Sequence, residues 1–157
     1  MVATPGKKTK KKVERYKYMA ATYSRDTNNP NTLSRPLGLY SQVCTVNSSN
    51  LIFLAGQVAV DEHGDLVGNN DISAQVTQIY KNIGDALNSA NAKFENIVQF
   101  TTYIVGSDNI PAFLEKRNSI VNNIYPLGDF PPSTLLVVAG LADPGYLAEV
   151  TAIAALP

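Results

Sequence analysis

The chain has a single cysteine, a single histidine and no net charge over its 157 residues, and each scarcity removes a class of function. Cys44 alone cannot close an internal disulfide, and no CxxC or Cys/His cluster accompanies it, which excludes a disulfide scaffold and a structural zinc site. No apolar run approaches the roughly 20 residues of a membrane-spanning helix, and the N-terminal segment has no apolar signal-peptide core. A cytoplasmic protein with no membrane partner is the expectation. What is present is ordinary globular composition, 45% hydrophobic and 17% charged, at a length that fits one domain with a real core.

The zero net charge conceals an asymmetry. Residues 1–35 carry nine basic side chains, Lys7, Lys8, Lys10, Lys11, Lys12, Arg15, Lys17, Arg25 and Arg35, against Glu14 and Asp26. That segment is +7 and the remainder −7. The run GKKTKKK could bind nucleic acid or an anionic surface, or act as a nuclear address. No aromatic or glycine-rich base-stacking pattern follows it, so a disordered, solubilising tail is favoured over a nucleic-acid partner. The polar stretch 24–36 reads as linker. The expected organisation is a tail and linker over 1–35 and a folded domain over 36–157.

From Pro36 the pattern becomes regular. Residues 37–46 and 51–60 are β-rich runs separated by turn residues, which reads as a hairpin, with Gly56 marking a bulge or a close backbone approach in the second strand. The polar loop that follows holds His63 beside Asp61, Glu62 and Asp65. No metal-ligand spacing is met, so a solvated turn is the better reading than a metal site. Ile72, Val76, Ile79, Tyr80, Ile83 and Leu87 recur at helical spacing behind a cap at Asp71 or Asn70. A third strand covers 97–105, and a second helix covers 109–124 with Pro111 in its first turn. The expected order is β-β-α-β-α-β-β, an α+β domain with two helices on one face of a single mixed sheet.

The last 28 residues, FPPSTLLVVAGLADPGYLAEVTAIAALP, place one carboxylate inside two runs that otherwise read as buried strand. Glu149 shares a strand face with Leu147 and Ile153. It stands either on a solvated edge or in a cleft where it can do acid or base work. These strands are apolar on both sides, yet two helices shield only one face of a sheet. The other apolar face needs a partner, and a homo-oligomer is the expectation.

These segments also carry a resemblance. GLYSQ at 38–42, LAGQV at 54–58, the helix from Gln75, NIVQFTTYIVGSDNIPAF at 96–113, PPSTLLVVAGL and AEVTAIA lie in the order found in the Rid family. These are the reactive-intermediate deaminases, or YjgF-like proteins, often called endoribonucleases. The resemblance covers nearly all of residues 37–156. It implies a chorismate-mutase-like α+β fold, a homotrimer with clefts at the subunit interfaces, and hydrolysis of reactive imines or enamines to a carbonyl compound and ammonia without metal or cofactor. By position, Tyr40 would line the cleft, the Gly56 backbone would meet the substrate, and Glu149 would hold the water.

One departure bears on the substrate. Where active deaminases of that family carry P-A-R-[ST], with an arginine that clamps a carboxylate, this chain has Ser133 followed by Thr134. Losing a charge-assisted fork removes roughly 1.5–3 kcal/mol of anion binding, which argues against amino-acid-derived imines as substrates. Ser133 and Thr134 could contact substrate or merely open a strand. Arg117, with Asn118 beside it near the middle of the second helix, reads as surface, or as a substitute positive charge if its face turns to the cleft. Three function classes follow: a hydrolase acting through Glu149 on a small molecule, a ligand-binding trimer without turnover, and a nucleic-acid protein acting through its tail.

Overall fold

The computed structural model describes residues 23–157, and the lysine-rich run lies outside them. Six strands and two α-helices follow one another as β1 (Ser24–Asn28), β2 (Val43–Asn47), β3 (Asn50–Gln57), α1 (Ile72–Ser89), β4 (Ile97–Val105), α2 (Ile110–Ile124), β5 (Ser133–Val138) and β6 (Ala148–Leu156). Four strands form a mixed sheet in the order β3-β6-β4-β5, while β1 and β2 form a separate two-stranded sheet. Within the larger sheet β6 runs antiparallel to both β3 and β4, and β5 runs parallel to β4.

The helices form where the periodicity places them. Asp71 caps α1, its side chain accepting a hydrogen bond from the Ala74 amide at 3.0 Å, and Pro111 sits in the first turn of α2, where no intrahelical donor is needed. The buried stripe of α1, including Val76, Ile79, Ile83 and Leu87, packs on the inward residues of the sheet. Those inward residues alternate along the strands as Phe100 and Ile104 of β4 and Ala148, Val150, Ala152 and Ala154 of β6. Small alanines on β6 let the helices approach closely. Gln75, fully buried in α1, donates to the carbonyls of Gly68 and Gly145 and accepts from the Leu147 amide, so it ties the helix to the loop that feeds β6.

Two expectations are corrected. The segment 24–36 is not all linker, since β1 pairs along its whole length with β2. Its polar sequence hides a strand because its inward anchor is Arg25 rather than a hydrophobe. That guanidinium donates to the carbonyl oxygens of Ile97 (2.8 Å) and Asp129 (3.0 Å), pairs with the Asp129 carboxylate, and lies over the Tyr125 ring. Nor do the first two β-rich runs form a hairpin. β2 joins β1 and β3 joins β6, so neighbours in sequence are divided between two sheets.

Among the described residues nothing covers the apolar side chains on the face of the sheet away from the helices. Phe53 is 71% exposed and Leu51 54%, with Leu136 also exposed. β5 is an edge strand, which leaves Val137 exposed as well.

Candidate functional site

A cavity of about 390 Å³ opens between α2, the loop 37–40 and the strands β4 and β5. Each wall follows from a simple period. Ile110, Phe113, Leu114, Arg117 and Asn118 recur at three- and four-residue steps and so share one face of α2. Ser133 and Leu135 are alternate residues of β5, and Thr102 of β4 pairs with Leu135 across the sheet. Tyr40 closes the remaining side, its hydroxyl accepting from the Leu37 amide at 3.3 Å.

Arg117 is the unusual member. Its residue exposure is 5%, yet among the described residues no carboxylate pairs with it. It donates to the Leu39 carbonyl at 3.0 Å and to the Asn118 side-chain oxygen at 3.3 Å. Tyr80 lies nearby, and burial pushes its hydroxyl pKa up, opposed by the charge on Arg117 and by a hydrogen bond from it. The phenol is therefore neutral and offers no counter-charge. A buried charge without an opposite partner is costly, by several kcal/mol in an apolar interior.

Glu149 belongs to a second constellation. It pairs across the sheet with Tyr103, whose neighbour Thr102 faces the cavity, so Glu149 points to the bare face instead. A bulge in β3 shifts the register between Leu54 and Gln57, and a Cβ built on Gly56 would fall inside the Glu149 carboxyl group. The carboxylate is half-buried, and among the described residues no ion pair or side-chain hydrogen bond engages it. An unengaged carboxylate beside an open backbone can hold a water molecule and accept its proton.

The residues singled out from sequence thus separate into two groups. The cavity unites Tyr40, Arg117 and Ser133, while Gly56 and Glu149 lie together on the other face. Thr134 lies outside the cavity, because the residue after an inward Ser133 points outward, onto the sheet face that carries Glu149, and it is exposed. Arg117 is not a surface residue. Thr102 went unremarked in the sequence, although the alternation Phe100, Thr102, Ile104 carries it onto the inward face. The His63 loop is a turn in which the Asp61 carboxylate accepts from the amides of His63 and Asp65, and these contacts hold its pKa below the usual carboxylate value. Burial raises the pKa of the half-buried Cys44 thiol, which lowers its thiolate fraction. No helix of the described residues is long and apolar enough to cross a membrane.

This arrangement defines an α+β protein of YjgF-like fold with a cavity under α2. The structure of the Rid-family protein YyfB from Yersinia pestis superposes with a TM-score of 0.75 at 30% identity, covering 84% of this chain and 98% of that one. The family model described as endoribonuclease L-PSP matches residues 31–156. A RutC family protein of Pyrococcus abyssi is 31% identical over 121 residues, 76% of this chain and 88% of its own length. The human 2-iminobutanoate/2-iminopropanoate deaminase is 26% identical over 121 residues, 75% of this chain and 80% of its own. The chain belongs to the Rid family of YjgF-like proteins.

Proposed function

We propose that the protein hydrolyses a reactive imine or enamine to a carbonyl compound and ammonia, with Glu149 positioning the water. The observation that carries this reading is the unengaged Glu149 carboxylate held over Gly56. An imine carbon is already electrophilic, so a site need only orient water and move protons. Glu149 takes a proton as water adds to that carbon and passes it to the nitrogen, giving a carbinolamine. The carbinolamine hydroxyl proton then moves to the nitrogen as the C–N bond breaks, leaving the carbonyl compound and ammonia. The name of the human relative, an iminobutanoate and iminopropanoate deaminase, supports the reaction class.

The reading includes a homotrimer. In one chain the sheet stands between Glu149 and the cavity, and the exposed face with Leu51 and Phe53 is of the kind that a neighbouring subunit covers. A cleft between subunits would bring Glu149 of one chain toward the Tyr40 cavity of the next. The lone thiol of Cys44 suits a reducing cytoplasm.

Generating imines in situ and measuring ammonia release with and without the protein tests the proposal. Acceleration that disappears in Glu149→Gln is expected, and no acceleration of any imine or enamine would reject it. Ser133 in place of an arginine favours one second reading, a trimer that binds a small ligand without turnover. Ligand binding with no ammonia release would select that reading.

A further inference from the structure

We propose that Arg117 is the anion anchor of the cavity, so that its ligand carries one carboxylate on a short apolar body. The inference rests on the cavity being the ligand site and does not depend on turnover. Of the five N–H groups of a guanidinium, Arg117 spends two on the Leu39 carbonyl and the Asn118 side chain. A third turns to the Tyr80 hydroxyl, the remaining two have no protein acceptor among the described residues, and the side chain borders the cavity while being 5% exposed. A planar carboxylate can take two of these N–H groups at once. Tyr40 and Ser133 line the same space, and each carries a hydroxyl able to donate a hydrogen bond.

Charge and shape narrow the class further. Among the described residues no second lysine or arginine lines the cavity, so a dianionic phosphate would remain half neutralised by them, whereas a single carboxylate balances Arg117. Leucines 37, 39, 114 and 135, with Ile110 and Phe113, make the rest of the wall apolar, and an aliphatic side chain of a few carbons fits a volume of about 390 Å³. Ser133 fits the same scheme. An arginine at that position would place two guanidinium groups in one small cavity, so a cation on α2 and a small residue on β5 are complementary choices. The competing role for Arg117 is a brace that holds the loop 37–40 through Leu39.

Calorimetric titration of the full chain with 4-methylpentanoate and with its uncharged isostere 4-methylpentanamide separates the two roles. The acid is expected to bind about 10- to 100-fold tighter than the amide, the difference a charge-assisted fork makes. That preference should vanish in Arg117→Gln and shrink in Arg117→Lys, which keeps the charge without the fork. Equal binding of acid and amide by the wild type, binding of neither, or a preference that survives in Arg117→Gln overturns the proposal. Should Arg117→Gln fail to fold, the wild-type comparison and the lysine variant decide. A brace alone predicts lowered stability in both variants and no acid preference. Acid preference without imine hydrolysis would reject the proposed reaction and leave this inference standing. Hydrolysis of neutral imines without acid preference would do the reverse.

Discussion

Glu149 can lie across β3 only because residue 56 is glycine: a Cβ there would stand 2.5 Å from the Glu149 carboxyl carbon and 2.9 Å from its Cγ. The β3 bulge and the side chain of β6 are therefore one device. The bulge shifts the pairing with β6 after Leu54, and the missing side chain gives the carboxylate its place.

Glu149→Gln should retain the fold and assembly while lowering turnover roughly 100- to 10,000-fold, the range of a general acid-base step. Glutamine keeps the shape and loses the exchangeable proton. Steady-state ammonia release, with circular dichroism as a control for folding, reads both. Full activity in the variant would remove Glu149 from the chemistry.

Gly56→Ala separates position from identity. The backbone at 56 has no positive φ, so alanine is conformationally acceptable there and the nearest conflict is with the Glu149 side chain. That half-buried side chain can swing toward the open face. Melting temperature should change by only a few degrees while activity falls nearly as far as in Glu149→Gln. Wild-type activity in Gly56→Ala would show that the observed carboxylate position is unimportant.

Particular residues show how far the sequence could be read. The α1 stripe from Ile72 to Leu87 and its Asp71 cap are local, obey a 3.6 period and were legible. The α+β YjgF-like fold was legible too, because six segments lay in family order. Arg25 was not, since its burial is satisfied by carbonyls of Ile97 and Asp129, 72 and 104 residues away. Arg117 sits in mid-helix, where charge usually means solvent, and its anchor at Leu39 is 78 residues distant. The β2–β3 pairing failed for a related reason: adjacency suggests a hairpin, but which strand each joins is decided by β1 and β6. Thr134 is different, because period-two alternation alone turns it away from the cavity that Ser133 lines and onto the face of Glu149.

Alkaline pH should destabilise the fold, and Tyr125 should carry part of the effect. Burial raises its hydroxyl pKa above the ordinary value near 10, with the Arg25 charge opposing, and the hydroxyl donates to the Phe94 carbonyl at 2.7 Å. Below pH 10 the folded and unfolded chains both keep this proton, so the contribution is fully present there. As pH rises further the unfolded chain ionises first, and stability is lost until the folded pKa is reached. Tyr125→Phe should cost about 1 kcal/mol at pH 7 from the lost hydrogen bond, and the gap to wild type should narrow above pH 10. Urea melts between pH 7 and 11 check this. A constant gap would contradict it.

The exposed sheet face supplies the last prediction. A phenylalanine that is 71% exposed, beside Leu51 at 54% and on the same face as Ile153, leaves most of its surface unburied by the described residues. Full burial of such a side chain is worth roughly 1.5–3 kcal/mol, and a symmetric trimer collects it three times. The 16.9 kDa chain should therefore sediment at roughly 50 kDa at micromolar concentration. Phe53→Asp would place a charge in each interface and should yield folded monomers. Leu127→Asp is the matched control: that side chain is 91% exposed, in the turn after α2 rather than on the sheet, and assembly should be unchanged. Because Glu149 occupies the same face as Phe53, dissociation should also abolish turnover even though no residue of the cavity has been altered. A wild-type monomer, or a Phe53→Asp monomer with full activity, would remove the interface from the proposed mechanism.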